Sequence, residues 1–201
     1  MREISPAINM SADEFLATKP KKAINIAETI REEKKAGRRP LPSSSLIDKS
    51  ELLNPEQRSA ILDQTAFLVD ENLFGRSEMC IQFSLLLDKA LKYFGLDSRC
   101  CVGIAICYDE KKNELFRWDH MWVRVGDEVV DGNTDILYEN PMIPKIVEVG
   151  PYWGPINKIP SDRRLRENHG QKLPSDEDVD KIWWPDLLTF LEENFPNANH
   201  L

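Results

Sequence analysis

No stretch of this 201-residue chain approaches the roughly 18 consecutive apolar residues that a membrane-spanning helix requires. The opening residues, "MREISPAINMSADEFL", also lack the continuous apolar segment of a secretory leader. The expectation is a cytoplasmic, soluble protein without a membrane partner. Basic residues are the minority: 26 Lys and Arg stand against 34 Asp and Glu, a formal charge of -8. That balance argues against a broad electrostatic grip on nucleic-acid phosphates or anionic lipid, and favours small molecules, peptides or proteins as partners. The four cysteines, at 80, 100, 101 and 107, include no CxxC pair with a second ligand pair. Adjacent Cys100 and Cys101 should project from opposite faces of a strand. Neither a disulfide framework nor a zinc site is indicated, and no metal or organic cofactor is expected.

What is present is enough apolar residue, 41% of the chain, for a sizeable core. Near the start, Ser11 followed by Glu14 has the look of a helix N-cap, and residues 21 to 36 are rich in helix formers and stop at Gly37. "GRRPLPSSSLIDKS" reads as a linker or surface loop. A further helix should start at Pro55 and carry Ile61, Leu62, Ala66, Phe67 and Val69 as its apolar stripe. After Gly95 the pattern turns to strands: "SRCCVGIAICYD", "ELFRWDHMWVRV" and "EVVDG". Beyond Asn133 the proline-broken "ENPMIPKIVEVGPYWGP" and the polar "PSDRRLRENHGQKLPSDEDVD" read as loops, the latter mobile after Ser161. A final helix, "DVDKIWWPDLLTFLEENF", should cover the sheet with Trp183, Leu187, Leu188 and Leu191, with Pro185 as an early-turn residue. Helices first and an antiparallel sheet after them give an α+β class. The expected organisation is a helical arm and linker over 1–50, a catalytic core over 51–160, and a polar loop with a covering helix over 161–201 in the same domain.

Chemistry gathers around "GRSEMCIQFSLLLDKALKYFG". Ser77 is positioned to cap a helix whose first turn holds Cys80 and whose end falls at Gly95. A thiol at the positive end of a helix dipole is biased toward thiolate, and with a nearby His⁺ its pKa can fall from about 8.5 to roughly 3.5–7.5. A base must be found for it, and the chain has three histidines. His200 is next to the C-terminal residue and His169 sits in the polar loop, which leaves His120. Gly126-Asp127 fits a two-residue hairpin turn with glycine first. Counting outward pairs Val125 with Glu128, Arg124 with Val129, Val123 with Val130 and Trp122 with Asp131. Paired residues share a face, as do alternate residues of one strand, so His120, Trp122 and Asp131 lie together with Asp131 diagonal to His120. Asp119 points the other way. A carboxylate so placed can hold an imidazole in its useful tautomer, with Nδ1 on the carboxylate and Nε2 toward the sulfur.

These residues resemble the transglutaminase-like superfamily of papain-like Cys-His-Asp enzymes. "SEMCIQFSLLLDKALKYFGLDSRCCVGIAI", "FRWDHMWVRV" and "EVVDGNTD" are similar to its succession of a helix N-terminal Cys, a strand with His in an H-x-W context, and an Asp on the next strand. The resemblance covers residues 72 to 135, and its spacing is most similar to small bacterial cysteine peptidase branches. It implies a catalytic triad of Cys80, His120 and Asp131 and acyl transfer on a peptide or protein amide, most simply hydrolysis. Two other readings stay open: a protein-crosslinking acyltransferase, and a non-catalytic peptide-binding module on the same fold. The Cys80 N–H is one oxyanion donor; Gln64, Asn72 or a backbone group could be the second, while Gln82 sits too deep along the helix. Trp118 and Trp122 are candidate walls of a substrate groove, while "GPYWGP" reads first as an anchored loop and second as a rim over that groove. Arg163 to Arg166 read as solvated surface, the acidic "SDEDVD" as a helix N-terminus rather than a calcium loop, and Cys100, Cys101 and Cys107 as packing residues. Nothing in the sequence fixes the oligomeric state.

Overall fold

A computed structural model of the chain describes Lys19 and residues 21–72, 74–140 and 142–196. The Ser11 cap falls outside them. The chain divides into two units, Met1–Arg39 and Pro40–Leu201. In the first, helix α1 (Lys21–Lys35) runs through the stretch of helix formers. It closes with Gly37 N–H on the Lys34 carbonyl and Arg38 N–H on that of Glu33, the pair of bonds that ends a helix at a left-handed glycine.

The second unit is α+β, and among the described residues its sheet has six strands. They are β1 (Ile47–Asp48), β2 (Ser98–Tyr108), β3 (Glu114–Val125), β4 (Glu128–Asp131), β5 (Tyr152–Pro155) and β6 (Arg163–Glu167), in the spatial order β1-β5-β4-β3-β2-β6. All neighbours are antiparallel except β1 and β5. The β3–β4 hairpin has the register that its turn dictates: Val125 opposite Glu128, Arg124 opposite Val129, Val123 opposite Val130. Gly126 supplies the positive φ, 56°, that the first turn position demands.

Three helices accompany the sheet: α2 (Pro55–Val69), α3 (Cys80–Tyr93) and α4 (Trp184–Asn194). Helix α2 begins with Pro55 and a reciprocal capping box between Asn54 and Gln57, bonds of 2.8 and 3.0 Å. Helix α3 ends on Gly95, with Leu96 N–H returning to the Leu91 carbonyl. Their inner faces, Ile61, Leu62, Phe83, Leu87 and Leu91 among others, bury against Cys100, Met121, Val123 and Val130 of the sheet. The opposite face of the sheet holds Cys101, Trp122, Val129 and Tyr152, so Cys100 and Cys101 do part to different sides. Cys107 enters a third cluster with Leu137 and Ile143. Burial pushes the thiols of Cys100, Cys101 and Cys107 up to about 12, leaving them protonated and inert at neutral pH.

Several expectations need correction. Phe67 is 62% exposed and does not belong to the apolar stripe of α2. The serine-rich stretch contains a 3₁₀ turn, Pro42–Ser45, held by Ser43 on the Asp63 carboxylate, and leads into β1. "GPYWGP" is no rim: Tyr152 and Trp153 are fully buried in β5. The polar stretch after Ser161 forms β6, whose single apolar residue, Leu165, hid an edge strand. A wide helical turn, Val179–Trp183, precedes α4, where Pro185 takes an early-turn position as expected. Leu187 and Leu191 pack on α2 and α3, so α4 covers those helices rather than the sheet.

Candidate active site

Strand β4 is much shorter than β3, and the candidate site occupies the edge of β3 that this difference leaves open. The β3–β4 pairing runs only as far as Val123 and Val130. The next residue on β3 whose main chain faces that edge is Met121. Helix α3 takes the place of the missing strand there. Ser84 Oγ donates to the Met121 carbonyl at 2.9 Å, and the Met121 N–H faces the Cys80 sulfur. Cys80 is thereby drawn to the flank of β3 beside His120.

Cys80 is the first residue of α3, half-buried, and approached through turns. Met79 N–H bonds back to the Arg76 carbonyl at 3.0 Å, and Met79 itself has φ -102° and ψ 31°. A capping residue needs extended backbone for its side chain to reach the first-turn N–H groups. Met79 lacks that geometry, and no side chain caps this end; Ser77 does not act as the N-cap that its position suggested. The first N–H groups of α3 are left facing forward beside the thiol, where the helix dipole is positive.

His120 and Asp131 are buried together, His120 Nε2 lying 2.8 Å from Asp131 Oδ1. The pairing follows the hairpin register, but the ring is turned the other way from the expected orientation. Nε2, not Nδ1, meets the carboxylate, and Nδ1 is the nitrogen left for the sulfur. Nδ1 makes no well-aligned hydrogen bond, yet the Cys80 thiol is close enough to couple to it electrostatically. The carboxylate has a second cation: Arg163 Nη1 lies 3.4 Å from Asp131 Oδ2. Arg163 is buried, contrary to its expected place on the solvated surface.

Charge coupling in this group is strong because water is excluded. Burial by itself would lower the His120 pKa, but the Asp131 carboxylate and the Cys80 sulfur more than reverse it, to about 10. Burial raises the Cys80 thiol, and contact with His120 and the Met121 N–H outweighs that effect, so the thiol titrates below its usual value. Asp131 is likewise opposed by burial and held below the usual carboxylate range by His120 and Arg163. The two shifts run in opposite senses, the thiol downward and the imidazole upward, and both favour the charged over the neutral form of the pair.

Gly132 turns the chain out of β4 at a point where there is no room for a side chain. A Cβ there would lie 2.7 Å from both Leu62 Cδ2 and Phe83 Cε1. The loop that follows is fastened to the loop before Cys80 by Arg76, which is completely buried. Its guanidinium holds Asp135 with two bonds of 2.6 and 2.5 Å, Asn133 at 3.1 Å, Asp70 at 3.3 Å and the Pro40 carbonyl at 2.9 Å, while Asn133 Nδ2 returns a bond to the Arg76 carbonyl. Sequence reasoning missed Arg76, Asn133 and Arg163. Arg76 and Asn133 had one signal, their position beside the motif residues, and Arg163, 32 residues beyond Asp131, had none, since a buried ion pair between distant segments leaves no periodicity.

A cavity of about 230 Å³ opens in front of Cys80 and His120. Trp118 lines it, together with Phe116, Leu137 and Ile143. Trp122 is instead buried, its ring 6.1 Å from that of His120, so it packs the imidazole from within the sheet and does not wall the cavity. Gln64, Asn72 and Gln82 are absent from the lining; Gln82 donates to Asp176 at 2.8 Å and the Asn72 Oδ1 accepts from Phe74 N–H at 3.0 Å. Among the described residues no cluster suited to a metal ion occurs, and no helix is long and apolar enough to cross a membrane. Comparison with protein families, curated proteins and solved structures gives no match to this chain.

Proposed function

We propose that the protein is a cysteine-dependent amide hydrolase, a peptidase or amidase built on a transglutaminase-like core, with Cys80 as nucleophile, His120 as base and acid, and Asp131 as the group that orients the imidazole. The observation carrying this reading is the coupled burial of His120 and Asp131 with the one cysteine whose thiol is lowered while the other three are not. A packing cysteine needs no such partners.

The chemistry follows from the geometry. With the thiol proton already on Nδ1, thiolate attacks the amide carbonyl; a C–S bond forms and the carbonyl π pair moves to oxygen. The uncapped first-turn N–H groups of α3 are the donors nearest that oxyanion. Collapse breaks the C–N bond, and the departing amine takes the proton from Nδ1. Water then adds to the thioester, gives its proton to Nδ1, and expels the thiolate. Asp131 keeps Nε2 protonated throughout, so that Nδ1 is the nitrogen free to exchange protons.

The test is the pH profile of Cys80 alkylation by iodoacetamide, read by peptide mass mapping. Modification of Cys80 well below pH 7, with Cys100, Cys101 and Cys107 unmodified, is the expected result. Alkylation of Cys80 that begins only near pH 8.5 would reject the triad and favour a module that holds peptides without cleaving them.

A further inference from the structure

The cavity in front of Cys80 has two different sides. One is apolar and aromatic: Phe116 and Trp118 stack at 5.9 Å between ring centroids and pack against Leu137 and Ile143. On the other stand Glu78 and Asp119, both exposed at the mouth. Apart from the Cys80 and His120 pair, these carboxylates are the ionisable groups of the lining, which among the described residues includes no Lys or Arg. The nearest arginine along β3, Arg117, is engaged by Glu114. Asp119 reaches the cavity, although it alternates with Trp118 and His120, because the open strand edge brings both faces of β3 to one opening. Two carboxylates beside an apolar wall bias the potential at the mouth toward negative, and the overall charge of -8 reinforces it at longer range, while the exposed Arg166 stands one strand beyond Ile104 in the row of Asp119.

We infer that the site selects a peptide segment in which an apolar, preferably aromatic, side chain stands next to a lysine or arginine, the ring lying on the wall of Phe116, Trp118 and Leu137 and the cation resting against Glu78 and Asp119. This rests on the hydrolase reading and adds the substrate class to it. An acidic neighbour would be repelled by both carboxylates. A glycine would leave the aromatic wall wet.

The experiment uses peptidyl chloromethyl ketones, in which the Cys80 thiolate displaces chloride as the C–S bond forms. Four are compared on the full chain: acetyl-Lys-Phe, acetyl-Glu-Phe, acetyl-Lys-Gly and acetyl-Glu-Gly, each rate being divided by that of iodoacetamide at pH 6.5. The Lys-Phe reagent should exceed Glu-Phe and Lys-Gly by tenfold or more. The Lys-over-Glu preference should shrink in 0.5 M salt and vanish in the Glu78→Gln, Asp119→Asn double variant, while the Phe-over-Gly preference persists. Equal rates for all four, or a lysine preference that survives in the double variant, would overturn the specificity while rapid iodoacetamide labelling leaves the triad standing. Failure of iodoacetamide itself to label Cys80 at pH 6.5 would remove both.

Discussion

Helices α2 and α3 lie side by side in one core, and their N-termini are built in opposite ways. Asn54 is extended, φ -87° and ψ 161°, and with Gln57 it satisfies two donors reciprocally. Met79 is still turning and satisfies none by side chain. The first end is closed and stabilises the fold by about 1 kcal/mol, the usual worth of such a cap. The second forgoes that stabilisation and keeps its N–H groups and dipole for the space in front of Cys80. A helix terminus can thus serve the fold or the site, and backbone conformation one residue before the helix decides which.

The sharpest way to test the difference is to remove the reactive group from the open end. Cys80→Ala should abolish thiol labelling at pH 6.5 and all amide turnover, with circular dichroism and melting almost unchanged because the residue is half-buried at a helix terminus. Cys100→Ala should do the reverse, lowering stability through a fully packed site while leaving the labelling of Cys80 intact. Equal loss of activity in two equally folded variants would show that the open end is not where the chemistry lies.

Next in size is Asp131→Asn. It removes the carboxylate that most strongly counteracts the effect of burial on His120 and leaves Arg163 facing an amide. By analogy with the serine triad, turnover should fall by about 10²–10⁴. The sign of the pH effect is fixed by the shifts. In the native protein the productive pair exists above the lowered thiol value and below the raised imidazole value of about 10, so turnover should decline through about pH 10. Without the Asp131 charge the imidazolium is less stable, and that alkaline limb should move toward neutral pH; an unmoved limb would mean that Asp131 does not hold His120.

The smaller effects concern the caps themselves. Asn54→Ala should lower stability by about 1 kcal/mol in urea unfolding and leave the Cys80 labelling rate unchanged. Met79→Ser should bring no gain in stability and a loss of about 1 kcal/mol, since the thioether gives up its packing on the core and its contact with Asn72 while a hydroxyl on a turning residue cannot reach the first-turn N–H groups. A gain of 1 kcal/mol or more in Met79→Ser would erase the contrast between the two ends.

The parts of this molecule that were legible in the sequence are those with local causes. Gly126-Asp127 set a register that reached His120 and Asp131, and Pro55 and Gly95 marked helix ends. What escaped depends on distant partners. β5 is four residues that follow Pro151 and end on Pro155, and its hydrophobicity looks like loop anchoring until β1 and β4 flank it. β6 is mostly charged because its exposed positions, Arg164 and Arg166, alternate with Arg163, whose burial makes sense only beside Asp131. The imidazole orientation was equally out of reach: either ring nitrogen can meet a carboxylate, and no residue pattern distinguishes the two rotamers. Of the two proposed groove walls, Trp118 and Trp122 share a strand face, and it is the end of β4 that leaves the first at the cavity and the second under the sheet.

Arg76 has a consequence for motion. Because one guanidinium holds the segment leading to Cys80 and the segment leaving Asp131, neither can loosen without uncovering the charges of the other. Cys80 and Asp131 therefore belong to a single opening unit, and the amides of residues 74–79 and 132–137 should exchange with deuterium as one cooperative group. Such a coupling makes partial states of the site rare: a fluctuation that exposes the thiol also pulls away the groups that lower its pKa, so an accidentally opened molecule should be a poorly reactive one.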